Sequence, residues 1–194
     1  MNNLYLIRHG ETEYNKRKVY YGATDCELTA LGREQARAIA AAFHDIHLDL
    51  TIVSPLRRAQ ETADIILGKK TTLRESEPRI REMNFGIWEG KYYKDLQGDP
   101  AYEAWMADWE NVRPPQGESH NDVVARVSDF YENLKQRPEK DIALICHNAV
   151  LMILLTKILE TDPTFSWHFA FDQGCYTHIR FADGYPIIQG HNLR

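Results

Sequence analysis

The sequence has few of the features that would set it apart from ordinary globular domains. Its three cysteines, Cys26, Cys146 and Cys175, are too few and too scattered for a disulfide framework, and no Cys-x-x-Cys pair is present. The apolar stretch Ala149–Leu155 is too short to cross a bilayer. Low-complexity segments and long Gly/Ser linkers are also missing. We therefore expect one domain over residues 1–194, located in the reducing environment of the cytoplasm.

Positive charge is not in excess. The chain has 23 Lys and Arg against 28 Asp and Glu, which gives a formal net charge of −5. Such a chain does not attract nucleic acid or an anionic membrane over long distances, so we expect neither as a partner. Any anion-binding site has to be built locally. The sequence indicates no oligomeric state.

Short apolar runs alternate with helical patterns along the chain. We predict buried strands at Asn3–Arg8, Thr51–Ser54 and Asp141–Cys146. The predicted helices are one capped by Thr29 with Leu31 and Ile39 on its apolar face, one capped by Ser54 with Pro55 at its first position, one from near Ser119 to Leu134, and one over Ala149–Leu159. This alternation predicts a three-layer α/β/α sandwich with a mainly parallel central sheet.

The segment from Trp88 to Gly117 interrupts the alternation. It is rich in Trp, Tyr and Pro. We interpret it as a small helical insertion that covers a pocket like a lid. Aromatic side chains at such spacing more often form a packed core than a ligand platform.

Reactive side chains follow the predicted strands. Arg8 and His9 end the first strand, Arg58 comes shortly after the second, and His147 follows the third. Ligands bind at the carboxyl ends of parallel strands, so we expect these side chains to meet at one edge of the sheet. Taken singly, each is most simply a structural residue or a surface charge. Taken together they predict an anion site, and the arginine forks fit a phosphoryl group.

Chemistry at a phosphoryl group needs a nucleophile and an acid. A neutral imidazole held in one tautomer can attack phosphorus, which makes His9 the candidate nucleophile. Glu82 is a candidate acid because it lies close in sequence to Phe85 and Trp88, and apolar neighbours favour a protonated carboxyl. By its position alone, Glu82 would be taken as one of many solvated acidic residues.

Motifs spread over nearly the whole chain resemble the histidine phosphatase superfamily, the phosphoglycerate-mutase-like enzymes. These motifs are Arg8-His9-Gly10-Glu11-Thr12 with Asn15, Leu28-Thr29 with Gly32 and Gln35-Ala36, Ser54-Pro55-Leu56-Arg57-Arg58-Ala59, Glu82 with Phe85-Gly86 and Trp88-Glu89-Gly90, Pro114 to Ser119, and His147. The resemblance implies a phosphohistidine on His9 without a metal or other cofactor.

The resemblance also implies roles for the neighbouring residues. Arg8, Arg58 and His147 would hold the phosphoryl oxygens, and Arg57 would be an exposed neighbour. Glu82 would protonate the departing alkoxide and then activate water. Thr12 and Asn15 would add hydrogen bonds to the phosphate.

Within the superfamily, the chain most resembles the α-ribazole phosphatases of cobalamin assembly. The segments that carry this resemblance are Trp105 and Trp109, Pro114 to Ser119, Trp167-His168-Phe169 and Asp172 to Cys175. It implies a small phosphomonoester substrate, α-ribazole 5′-phosphate. One position departs from the family: Asn148 follows His147, where many members have glycine. Since asparagine tolerates a left-handed backbone, we expect the turn to survive and Asn148 to contact the substrate.

Other chemistries lack their residues. A cysteine phosphatase needs arginine six residues after its nucleophile, where this chain has Gly32, Met152 and Phe181. Neither a P-loop nor a serine-hydrolase elbow is present. His44 and His47 have a plausible zinc spacing but no third ligand, so we expect them at the surface. A broad-specificity phosphatase, a phosphoglycerate mutase and a non-catalytic phosphoprotein-binding domain stay open as alternatives.

Overall fold

Six strands form one sheet in the structure, a computed structural model that describes residues 1–194. They are β1 (Asn3–Arg8), β2 (Leu50–Val53), β3 (Leu73–Ser76), β4 (Asp141–Cys146), β5 (Tyr176–Ala182) and β6 (Tyr185–Leu193). Their order across the sheet is β3-β2-β4-β1-β5-β6. The first four in this order run parallel, whereas β5 and β6 form an antiparallel hairpin beside β1. The predicted mainly parallel sheet is confirmed, although β3 and the hairpin were not predicted.

Helices cover both faces of the sheet. They are α1 (Glu13–Arg17), α2 (Ala30–Ala42), α3 (Arg57–Leu67), α4 (Pro100–Ala107), α5 (His120–Lys135) and α6 (Asn148–Ile158). One apolar core joins α2 and α3 to one face of the sheet, and a second core joins α5 and α6 to the other face. The three-layer α/β/α sandwich is therefore confirmed. No helix has the length and apolar character needed to cross a membrane.

The predicted cap of α2 is present, and Ser119, predicted near the start of α5, caps that helix. The Thr29 side chain accepts a hydrogen bond from the Gly32 amide and begins α2, and Ser119 does the same with Asp122 at the start of α5. The predicted apolar face of α2 is partly wrong, because Leu31 is 49% exposed while Ile39 is buried. The small residue Gly32 faces inward in place of Leu31.

Ser54 does not cap α3, contrary to the prediction. The helix begins at Arg57, after Leu56, and has no side-chain cap. A residue that precedes proline is restricted to extended conformations, and the Ser54 amide continues the strand pairing by donating to the Ile145 carbonyl at 3.0 Å. Pro55 thus delays the helix and leaves the Ser54 hydroxyl for another partner.

The segment from Trp88 to Gly117 contains the short 3-10 helix Tyr93–Leu96 and helix α4. A further 3-10 helix, Gly86–Trp88, ends at its first residue. The segment's apolar cluster is formed by Trp88, Leu96, Tyr102 and Trp105, separate from the two cores on the sheet. The segment therefore has a small apolar core of its own, formed by the burial of these side chains.

Candidate active site

The register of the sheet brings three strand ends together. Arg8 of β1 pairs with Cys146 of β4, and Val53 of β2 pairs with Ile145 of β4. The next residues along the chain are His9, Ser54 and His147, so these three side chains emerge at one edge of the sheet. The ring centroids of His9 and His147 are 5.1 Å apart. The predicted meeting of remote segments at this edge is what the structure shows.

His9 is held in one tautomer. Its ring is 2% exposed, and Nδ1 donates to the carbonyl of Gly10 at 2.7 Å. The Nε2 lone pair is therefore the free one. Burial, together with the charges of Arg58 and Arg8, holds the pKa of His9 well below its usual range. The imidazole is thus neutral and nucleophilic at physiological pH.

Gly10 has a packing role next to His9. A Cβ at Gly10 would lie 2.3 Å from the Gly32 carbonyl oxygen, at the start of α2. Only glycine allows this close approach, which fixes the backbone that receives the His9 hydrogen bond.

Arg58 is fully buried and fixed by backbone carbonyls. Its Nη1 donates to the Thr24 carbonyl at 2.9 Å and its Nη2 to the Gly22 carbonyl at 2.8 Å. The guanidinium lies 4.8 Å from the centre of the Tyr21 ring. Its Nε is buried and has no partner in the protein. Arg57, by contrast, is exposed and pairs with Glu27.

Arg8 is positioned from the other side. Its Nη1 donates to the carbonyl of Phe171 and to Oδ1 of Asn148, the latter at 3.3 Å. Its Nε is buried without a partner, as in Arg58. In both arginines, therefore, Nε is a buried donor that no protein group uses.

His147 is fully buried and fixed by Ser54. Its Nε2 lies 2.7 Å from the Ser54 hydroxyl, which also accepts weakly from the Leu56 amide at 3.4 Å. We assign the hydroxyl as the donor to Nε2, which places the proton of the neutral ring on Nδ1, an atom without a partner in the protein. Burial and the nearby charge of Arg58 hold the pKa of His147 well below its usual range.

The backbone after His147 is not left-handed, contrary to the expectation for Asn148. Asn148 is the first residue of α6 and has an ordinary helical conformation. Glycine is therefore not required here. The Asn148 side chain bridges Arg8 and the sulfur of Met152, and the Ala149 amide donates to Glu82 at 3.3 Å.

Glu82 lies in the same cleft as Arg8. One of its carboxylate oxygens accepts from the Ala149 amide at 3.3 Å, and the other accepts from the Met83 amide at 3.0 Å. The carboxyl group is half-buried and lines the cavity next to Asn148. Two backbone amides thus hold an acid at the entrance to the basic cluster.

Thr12 and Asn15 form a closed network with Tyr21. The Asn15 side-chain oxygen lies 2.9 Å from the Thr12 hydroxyl and 2.8 Å from the Tyr21 hydroxyl, and the two hydroxyls are 2.9 Å apart. Burial raises the pKa of Tyr21 to about 12, so its hydroxyl keeps its proton. The Asn15 amide nitrogen is left for other partners. Nothing in the sequence pattern distinguished Tyr21 from the other tyrosines.

Glu89 organises the loop that holds Arg58. Its carboxylate accepts from the amides of Gly22, Ala23 and Thr24 at 3.1, 2.7 and 2.6 Å, and from the Thr24 hydroxyl. The carbonyls of Gly22 and Thr24 are the ones that receive the Arg58 hydrogen bonds. Sequence reasoning placed Glu89 in a motif but gave it no role, because its partners are backbone atoms remote in the chain.

Two adjoining cavities open beside Arg8 and Glu82. The phosphate cleft has a volume of ≈ 250 Å³ and is lined by Arg8, Asn15, Tyr21, Glu82 and Asn148, among others. The aromatic pocket has a volume of ≈ 260 Å³ and is lined by Tyr20, Met83, Phe85, Trp105, Trp109, His120, Val123, Ala149, Ile153 and Trp167. The two share Tyr20, Phe85, His120, Ala149, Ile153 and Trp167 in their walls. No lysine, arginine, aspartate or glutamate lines the aromatic pocket.

His44 and His47 lie apart from the cationic cluster. They are at the surface with 84% and 79% of their side chains exposed, next to Asp45 and Asp49. The cluster itself consists of Arg8, Arg58 and the imidazoles of His9 and His147.

The chain matches the model of the histidine phosphatase superfamily (branch 1) over residues 4–194. It is 34% identical to the adenosylcobalamin/alpha-ribazole phosphatase of Escherichia coli (strain K12), in an alignment that covers 98% of this chain and 96% of that protein. The crystal structure of the alpha-ribazole phosphatase from Shigella flexneri superposes with a TM-score of 0.93 at 33% identity, and 98% and 96% of the two chains are covered. Phosphoserine phosphatase 1 of Hydrogenobacter thermophilus is 28% identical, over 100% of this chain and 93% of that protein.

Proposed function

Because the chain belongs to the histidine phosphatase superfamily, we propose that it hydrolyses α-ribazole 5′-phosphate through a phosphohistidine on His9. The geometry around His9 supports this proposal most directly. The His9 ring lies 5.1 Å from that of His147, and the charges of Arg58 and Arg8 act on it. These three neighbours each have a buried nitrogen without a protein partner, namely Arg8 Nε, Arg58 Nε and His147 Nδ1. Each can donate a hydrogen bond, and each comes from a different part of the chain. A phosphoryl group offers the oxygen acceptors that match them.

In the first step, the Nε2 lone pair of His9 attacks phosphorus. A bond forms between nitrogen and phosphorus, and the bond between phosphorus and the leaving oxygen breaks. Glu82 gives its proton to that oxygen, so that an alcohol departs. Arg8, Arg58 and His147 donate hydrogen bonds to the phosphoryl oxygens, where charge develops.

In the second step, water replaces the imidazole. The Glu82 carboxylate takes a proton from a water molecule as its oxygen attacks phosphorus, and the bond to His9 breaks. Inorganic phosphate is released, and His9 returns to the neutral tautomer held by Gly10. We assign Thr12 and Asn15 a supporting role, in which the Asn15 amide nitrogen donates to the phosphate.

The aromatic pocket favours an aromatic leaving group over a carboxylate. A phosphoglycerate or phosphoserine carries a carboxylate that needs a cation, yet the aromatic pocket offers none. Its walls are aromatic rings and aliphatic side chains, which suit the planar benzimidazole of α-ribazole. Trp105 and Trp109 belong to the segment 88–117, so we propose that this segment forms the lid-like wall that selects the leaving group.

The test is a steady-state comparison of purified protein on α-ribazole 5′-phosphate, 3-phosphoglycerate and phosphoserine. We expect the highest kcat/KM with α-ribazole 5′-phosphate, full activity in EDTA, inhibition by vanadate, and loss of at least a thousandfold in kcat for His9→Ala, roughly the scale of removing a nucleophile. The variant His44→Ala, at an exposed position, serves as the control and should be unchanged. A flat profile across substrates would argue for a broad phosphatase, and isomerisation of 3-phosphoglycerate with a bisphosphate primer would argue for a mutase.

A further inference from the structure

His120 has no role in the chemistry proposed above, yet it lies at the junction of the two cavities. It is the first residue of α5, is 5% exposed, and lines both the phosphate cleft and the aromatic pocket. Its ring meets Trp109 edge to face, with centroids 4.7 Å apart and planes at 77°. The imidazole is thus fixed in a wall of the space that a leaving group would occupy.

One nitrogen of His120 is used within the protein and the other is not. Nε2 lies 3.3 Å from the hydroxyl of Ser166, whereas Nδ1 is buried and has no partner. Buried polar atoms are nearly always hydrogen-bonded, because they have given up water. Trp105, in a wall of the same pocket, also has a buried and unpartnered Nε1. Two residues that line the aromatic pocket, His120 and Trp105, therefore each have a hydrogen-bonding atom that no protein group uses.

The His120 ring is neutral at physiological pH. Burial lowers the pKa of His120, and the start of a helix disfavours positive charge. We assign the Ser166 hydroxyl as the donor to Nε2, which places the proton of the neutral ring on Nδ1, so that Nδ1 serves as a donor. The complementary group on a ligand is an acceptor, either the unsubstituted ring nitrogen of a heterocycle or a sugar hydroxyl.

We propose that His120 is a specificity-determining residue that binds a heteroaromatic nucleoside leaving group by a hydrogen bond from Nδ1. This inference rests on the proposed function and deepens it, because it names the contact that separates a polar nucleoside from a plain aromatic ring. Stacking against the aromatic walls recognises any planar group. The His120 hydrogen bond adds the discrimination, since a ligand without an acceptor leaves Nδ1 unpaired.

The experiment compares three phosphomonoesters: α-ribazole 5′-phosphate, ribose 5-phosphate, which lacks the base, and phenyl phosphate, which lacks the sugar. His120→Phe keeps a ring next to Trp109 and removes both nitrogens. We expect it to lower the ratio of kcat/KM for α-ribazole 5′-phosphate to that for phenyl phosphate about tenfold, mainly through KM. His120→Asn, whose amide nitrogen can take the place of Nδ1, should recover part of the ratio. His44→Phe is the matched control at an exposed histidine.

The pattern across substrates also identifies the atom that is bound. If ribose 5-phosphate loses activity together with α-ribazole 5′-phosphate, the acceptor is a sugar hydroxyl; if it does not, the acceptor is the ring nitrogen. Both results support the proposal. Equal losses on all three substrates in His120→Phe, or no loss on any, would overturn it.

A binding measurement separates this inference from the proposed chemistry. In a His9→Ala background, calorimetry with α-ribazole 5′-phosphate should give a Kd about tenfold higher when His120→Phe is added. An unchanged Kd would overturn the role of His120 even if the wild-type protein is an active phosphatase. The proposed function fails separately if the wild-type protein releases phosphate from none of the three compounds.

Discussion

At the scale of single residues, the site combines charged arginines with histidines that are kept neutral. His9 and His147 are buried beside Arg8 and Arg58, and both effects disfavour the protonated ring. The result is a nucleophile that stays unprotonated without a neighbouring base. The folded protein therefore does not bind protons at His9 and His147 that the unfolded chain would bind at low pH, which destabilises the folded protein there.

This difference in proton binding predicts a pH dependence of stability. Below the ordinary histidine pKa of about 6.5, the unfolded chain binds protons at His9 and His147 that the folded protein does not, so the free energy of unfolding falls as the pH falls. Each histidine contributes a slope that grows from about 0.7 kcal/mol per pH unit at pH 6.5 towards about 1.4 kcal/mol per pH unit below about pH 5.5. We expect urea denaturation in the absence of phosphate to show a smaller slope of the unfolding free energy against pH for His9→Asn, because the contribution of one histidine is removed.

The control for this prediction is His44→Asn, at an exposed histidine that should leave the slope as it is. If His9→Asn and the wild-type protein lose stability equally over this pH range, His9 is protonated in the folded protein. The inference that His9 is a neutral nucleophile in the folded protein would then be wrong.

Much of the site was predictable at this scale because charged and nucleophilic residue types are visible in the sequence. His9, Arg8, Arg58 and His147 were found by their position after predicted strands. Tyr21 and Ser54 were not assigned their contacts. Tyr21 looks like any tyrosine until its hydroxyl meets Asn15, and the role of Ser54 depended on whether the chain became helical before or after Pro55.

At the scale of elements, the position of the Arg58 guanidinium depends on a loop rather than on a helix. Residues 22–24 present carbonyls to Arg58 on one side and amides to Glu89 on the other. A Cβ at Gly22 would lie 1.6 Å from the Met83 carbonyl oxygen, so this loop also packs against the segment next to Glu82. The Glu89 carboxylate thereby connects segment 88–117, through the loop 22–24, to the Arg58 guanidinium.

The variant Glu89→Gln tests this connection. The amide presents a donor to backbone amides that need an acceptor, so the loop loses its anchor and Arg58 its alignment. We expect a loss of about 1–3 kcal/mol in the free energy of unfolding and about a tenfold rise in the Ki of inorganic phosphate. Inhibition has to be measured at a temperature where the variant is fully folded.

A suitable control is Glu103→Gln, because Glu103 also accepts from a backbone amide, that of Gly98, but is exposed. Glu103→Gln should leave both the free energy of unfolding and the Ki of inorganic phosphate nearly unchanged. Loss of stability in Glu89→Gln with an unchanged Ki would mean that Glu89 supports the fold without positioning Arg58.

Elements with strong apolar patterns were predicted well, and edge elements were not. β1, β4 and α6 are buried on all sides and read as continuous apolar runs. β3 and β6 lie at the edges of the sheet, where most side chains face water, so their sequences carry little pattern. The face of α2 was partly misassigned because Leu31 is apolar but exposed, and Gly32 is buried without a side chain.

At the scale of the whole molecule, the order of strands in the sheet brings residues that are remote in sequence together at one site. β1 and β4 are 138 residues apart at their first paired positions, Asn3 and Asp141, yet they are neighbours, and this places His9 next to His147. The alternation of strands and helices predicts a parallel sheet, but it does not fix the strand order. The meeting of His9, Arg8, Arg58 and His147 could therefore be predicted from the parallel sheet. The aromatic pocket could not be predicted, because it depends on how segment 88–117 packs against α5 and α6.

The account depends centrally on a covalent bond between phosphorus and His9. Purified protein can be mixed with phenyl phosphate, quenched in alkali within milliseconds, and mapped by tandem mass spectrometry. We expect phosphate on His9 alone, labile in acid, formed and lost at rates compatible with turnover, and absent from His9→Ala. Phosphate on another residue, or full turnover by His9→Ala, would contradict the account.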